Sequence, residues 1–93
     1  MPTNKNALAR YQVIDSCLTN KQKKYPKLAD LQNKIDERLG IGEDENGISD
    51  STVKNDIKAM KKLWNAFIDY NRERRGYYYT EENFSIKQFP SAI

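Results

Sequence analysis

Ser51, Asn55, Lys58 and Lys62 fall at spacings of four, three and four. On a helix of 3.6 residues per turn that spacing sets them in one row. Lys54 and Lys61 flank the row, and it carries no acid. Such a row can recognise a partner by hydrogen bond and charge. Serine and asparagine donate or accept at base edges, asparagine suits adenine, and lysine reaches guanine or phosphate. Val53, Ile57, Met60 and Trp64 occupy the opposite side and read as a buried stripe. The same row also fits a helix face that is simply solvated. Asp50 stands four residues before Lys54, in the order that favours a local ion pair.

A second basic group follows. Arg72, Arg74 and Arg75 surround a lone Glu73 in "NRERR", between the aromatic runs "AFIDY" and "GYYYT". Arginines at a hairpin tip reach phosphates or enter a narrow minor groove. Charged tips also keep hairpins in solution. Tyr77, Tyr78 and Tyr79 could stack unpaired bases. Strand alternation sends neighbours to opposite faces, however, so core and cross-strand packing is the reading taken. Lys21–Lys24, "KQKK", reads as a solvated turn that could touch backbone phosphate.

Other chemistries find no residues to carry them. The chain has no histidine and a single cysteine, Cys17, so neither an internal disulfide nor a Cys/His zinc site can form. Cys17 sits in an apolar helical pattern and reads as a small packing residue. There is no nucleophile–base pair and no glycine-rich phosphate loop after a strand, so no enzyme and no cofactor are expected. "EDEN" at Glu43–Asn46 lacks the register of a calcium loop. No apolar run approaches the roughly 18 residues of a membrane span, and Met1–Arg10 lacks a signal-peptide core. A reducing, cytoplasmic setting is expected. With 93 residues and a net charge of +3, the chain is one small, mildly basic domain, and where the charge sits matters more than its sum.

The elements that must position these groups follow from periodicity. Ala7, Leu8, Tyr11, Ile14, Cys17 and Leu18 predict a helix over Lys5–Leu18, capped by Asn4 or Asn6. Pro26 predicts an extended Tyr25 before it and a helix start just after. Leu28, Leu31, Ile35 and Leu39 predict a second helix from about Lys27 to Leu39, closed by Gly40. "GIGEDENG" is a flexible acidic loop. Ser49 caps the third helix, Ile48 is placed for a hydrophobic staple, and Thr52 stands where a capping box would want Glu or Gln. After Trp64 the period falls to two and predicts a hairpin. Phe84, Ile86 and Phe89 then supply an extended piece that packs back on the domain. The fold expected is mainly α with a β-hairpin. Three helices closing one core, with a wing over the open side, is the layout of a winged helix-turn-helix.

"RYQVIDSCL" (10–18), "KYPKLADL" (24–31), "GISDSTVKNDIKAM" (47–60) and "GYYYTEENFSI" (76–86) together resemble the N-terminal domain of WYL-domain transcriptional regulators, especially those of Bacteroides-type bacteria. The "ISxxTVxxDIxxM" piece is shared with many DeoR-type repressors, and the tyrosine-rich strand followed by "NFSI" is the more telling part. The resemblance implies a winged helix-turn-helix that binds operator DNA, with the helix at 49–64 in the major groove and the wing at 71–76 on backbone or minor groove. By position it puts Ser51, Thr52, Lys54, Asn55 and Lys58 on the recognition helix, and Arg72, Arg74 and Arg75 on the wing. Asp56 matches a family aspartate expected to brace the helix. Many DeoR-type helices carry arginines where Asp50 and Asn55 stand here, which implies fewer phosphate and guanine contacts.

The expected organisation is a DNA-binding domain over residues 1–88. Residues 89–93 would begin a linker to a missing C-terminal WYL-like domain, and that region would form any homodimer. Neither a membrane nor a small molecule is an expected partner of this domain. The other reading is a winged-helix protein-interaction module without DNA binding, whose sign would be exposed apolar surface on the third helix or the wing.

Overall fold

The computed structural model describes residues 4–39, 49–81 and 84–86. Three helices, α1 (Asn4–Leu18), α2 (Leu28–Leu39) and α3 (Asp50–Trp64), precede two strands, β1 (Ile68–Asn71) and β2 (Gly76–Tyr79). The strands pair antiparallel, with Ile68 opposite Tyr79 and Asn71 opposite Gly76. The expected order of elements is therefore the observed one. The caps proposed on Asn4 or Asn6, the closing Gly40, the Ile48 staple, the acidic loop and Phe89 lie outside the described residues and side chains.

The α3 stripe is buried as its spacing requires: Val53, Ile57, Met60 and Trp64 all enter the core. Ile14, Leu31 and Ile35 join them from α1 and α2, and Ala66, Ile68, Phe84 and Ile86 close the far side. Leu8, Tyr11, Cys17, Leu18 and Leu39 pack half-buried around that centre. The α1 stripe is wider than its spacing suggests, because Val13 and Asp15 are buried as well. This helix packs against the other two helices and β2.

Two buried carboxylates fasten the elements. Asp56 of α3 receives a two-pronged bond from Arg10 of α1, at 2.6 Å from Nε and 3.0 Å from Nη2. This geometry suits guanidinium and carboxylate, and it is the bracing role expected of Asp56. Asp15 accepts from the Tyr79 hydroxyl (2.6 Å), the Ser85 hydroxyl (2.8 Å) and the Ile86 N–H (3.1 Å). It thereby ties α1 to β2 and to the segment after the hairpin. Burial, and then the bond to Asp15, pushes the Tyr79 phenol far above its ordinary value. The hydroxyl therefore stays a neutral donor.

Tyr25 departs from expectation. Proline normally drives its predecessor into extended backbone, yet Tyr25 has φ 60°, in the left-handed region. Packing overrides the local preference. The Pro26 carbonyl accepts the Tyr77 N–H at 2.8 Å, which docks the α1–α2 connector on β2. The Tyr25 ring lies against Tyr78, with centroids 5.5 Å apart. Gly76 makes this approach feasible: a Cβ there would stand 2.0 Å from the Tyr25 carbonyl oxygen.

Candidate nucleic-acid interface

Ser49 caps α3 as expected. Its backbone is extended (φ −83°, ψ 161°), and its hydroxyl accepts the Thr52 N–H at 3.2 Å. The two hydroxyls, Ser49 Oγ and Thr52 Oγ1, also bond at 2.9 Å. Thr52 is thus half-buried and engaged in the cap, while Ser51, Lys54, Asn55, Lys58 and Lys62 are exposed. Asp50 does not pair with Lys54. Its carboxylate accepts from Gln32 Nε2 at 2.6 Å, joining the start of α3 to α2.

The wing is a four-residue turn, Arg72–Arg75, between β1 and β2. Asn71 shapes it: its Oδ1 accepts the Arg74 N–H at 2.9 Å, the local bond that makes asparagine a turn residue. Arg75 closes the turn at φ 58°. All three arginines are exposed. The Arg74 guanidinium lies over the Tyr25 ring, 5.3 Å from its centroid.

Burial, the adjacent Tyr70 and the Asp50 carboxylate together raise the Tyr77 phenol above its usual range. Tyr77 packs edge-on against its cross-strand partner Tyr70 at 5.0 Å. Tyr79 does the same against Phe84 at 4.9 Å. The tyrosine run is therefore used for packing.

Ion pairs occur elsewhere: Arg10–Asp56, Lys23–Asp30 and Lys34–Glu37. Among the described residues, no lysine of α3 and no wing arginine has a carboxylate within 4.0 Å. Lys21–Lys24 are exposed. Lys21 and Lys24, with Tyr25, Tyr78 and Phe84, line an open groove of about 590 Å³ between the connector and β2.

Sequence reading passed over Arg10 and Asp15 as positioning residues, and it gave Tyr25 an extended backbone that the structure does not have. Their partners lie 46 to 71 residues away in Arg10 and Asp15's case. A polar residue inside an apolar helical run, such as Asp15 beside Val13 and Ile14, is the available signal.

No group of three or more potential metal ligands comes together among the described residues. None of the described helices is long and apolar enough to cross a membrane.

No curated protein and no solved structure matches the chain. A family model does, that of the N-terminal winged helix domain of WYL domain-containing proteins, over residues 6–80. The matched span includes all but the first two residues of α1, the whole of α2 and α3, and the whole hairpin with its wing. By that match and by its fold, the chain belongs to the family of N-terminal winged helix domains of WYL domain-containing proteins.

Proposed function

We propose that this domain binds double-stranded DNA sequence-specifically, as the N-terminal part of a bacterial transcriptional regulator working in the cytoplasm. The exposed α3 row enters the major groove, where Ser51 and Asn55 meet base edges and Lys58 and Lys62 meet guanine or phosphate. Lys54 flanks that row, Thr52 steadies its first turn, and Arg72, Arg74 and Arg75 hold backbone or minor groove. One observation carries this reading: among the described residues, the exposed lysines of α3 and the exposed arginines of the wing have no carboxylate partner. A module of this size covers only roughly 600–1,000 Å² on DNA. Tight binding therefore calls for a homodimer, assembled through other parts of the regulator.

Fluorescence anisotropy with a labelled duplex tests the proposal. The logarithm of affinity should fall linearly with the logarithm of salt, by roughly 0.9 per neutralised phosphate. Asn55→Ala and Lys58→Ala should weaken a selected site more than random DNA. Equal losses on both would reduce those residues to phosphate contacts. Absence of binding to any duplex at low salt would sink the proposal.

A second reading has its own observation. Leu63, Phe67 and Tyr70 are 51, 49 and 45 % exposed, at the end of α3, just before β1 and within β1. Exposed apolar side chains there would suit a protein partner. Binding that is insensitive to salt and lost in Phe67→Ser would favour it.

A further inference from the structure

The three wing arginines are not equivalent. The backbone N–H of Arg74 donates to Asn71 Oδ1, which fixes its place in the turn, and its guanidinium lies over the Tyr25 ring. Arg72 and Arg75 have neither a ring nor a carboxylate partner among the described residues.

Tyr25 is itself tightly determined. A left-handed backbone is uncommon for a bulky residue and runs against the proline that follows. Such an outlier persists only where its surroundings over-determine it, and it points to function more often than ordinary backbone does. Here Pro26 is bonded to Tyr77, the Tyr25 ring rests on Tyr78, and Gly76 leaves room for the Tyr25 carbonyl. The ring is not part of the core cluster. What it gains by this placement is a face presented to Arg74.

A guanidinium lying on an aromatic face keeps its N–H donors in its own plane, free for a bidentate bond to phosphate. An unsupported arginine loses its rotamer freedom only on binding. A supported one has already lost it in the free protein. We infer that Tyr25 is a positioning residue of the DNA surface: it presents Arg74, pre-organised, to a backbone phosphate. The inference rests on the DNA-binding reading above and assigns the α1–α2 connector a part in it.

The test measures salt dependence on one duplex for Tyr25→Leu, Tyr25→Phe, Arg74→Ala and the Tyr25→Leu/Arg74→Ala double variant. Trp64 emission checks folding. Arg74→Ala should lower the log–log slope by about 0.9. Tyr25→Leu should weaken binding at every salt concentration with the slope kept, the double variant should bind as Arg74→Ala does, and Tyr25→Phe as wild type. Over a fourfold change in salt, one such contact is worth roughly 3.5-fold in affinity. A second measurement needs no variant. In the free wild-type domain, the Arg74 Nε–H order parameter should exceed those of Arg72 and Arg75. The inference is overturned if Tyr25→Leu binds as tightly as wild type while Arg74→Ala lowers the slope, if the two affinity losses add, or if the three arginines are equally mobile. If Arg72→Ala and Arg75→Ala lower the slope and Tyr25→Leu leaves affinity unchanged, the DNA-binding reading stands and only the role of Tyr25 falls. If the wild type binds no duplex, both fall.

Discussion

Gly76→Ala isolates the contact between connector and hairpin. The added Cβ would stand 2.0, 2.4 and 2.9 Å from the Tyr25 carbonyl oxygen, carbonyl carbon and Cα. All three are backbone atoms, so no side-chain rotation relieves the clash. Reaching the 3.4 Å of ordinary contact requires the connector to retreat about 1.4 Å from the carbonyl oxygen's present position. A movement of that size strains or breaks the neighbouring 2.8 Å bond from Tyr77 N–H to the Pro26 carbonyl. Overpacking costs about 1–3 kcal/mol and the lost hydrogen bond about 1 kcal/mol. The lower unfolded-state entropy of alanine returns about 0.4–1 kcal/mol. The net expectation is a loss of roughly 2–3 kcal/mol, or on the order of 10–20 °C in Tm for a domain this small. Urea unfolding followed through Trp64, the single tryptophan, reads it directly. Arg75→Gly is the control one residue away. There the left-handed φ of 58° favours glycine, so stability should hold or rise by up to about 1 kcal/mol. A Gly76→Ala domain as stable as wild type would refute the close approach of Tyr25 to β2, and with it the support proposed for Arg74.

Three further outcomes follow from the buried polar groups. Arg10→Met should cost about 1–3 kcal/mol by urea unfolding, because it leaves the buried Asp56 without its part-buried partner. Adding Asp56→Leu to that variant should recover much of the loss. Tyr79→Phe removes one of three donors to Asp15 and should cost about 1–3 kcal/mol. Tyr79 also sets an alkaline limit. Its phenol is raised in the folded state, so its contribution is intact below the ordinary value of 10.0 and declines above it, as the unfolded chain loses the proton first. Stability should fall by up to about 1.4 kcal/mol per pH unit above that point, and Tyr79→Phe should flatten this part of the profile.

The helices were legible because their stripes answer to one core. Val53, Ile57, Met60 and Trp64 recur at helical spacing and are buried together. Ser49 announces the start of α3 by a bond to a backbone group three residues away. The hairpin was legible from aromatic alternation on either side of a polar turn. What escaped was non-local. Nothing next to Tyr25 asks for a left-handed backbone, and its proline argues against one. The demand comes from Gly76 and Tyr77, about fifty residues on. Asp15 likewise reads as a polar interruption of α1 until Tyr79, Ser85 and Ile86 come back to meet it. The candidate interface was legible as residue types on one face. The division of labour within it was not, since Thr52 serves the cap and Arg74 rests on a ring from another element.

Amide shift mapping with an unlabelled duplex at low salt tests the central claim most directly. The account predicts that shifts concentrate on Ser51–Lys62 and Arg72–Gly76, with Tyr25 following Arg74, and that they fade as salt rises. No shifts at low salt, or shifts centred on Leu63, Phe67 and β1 that persist in salt, would contradict it.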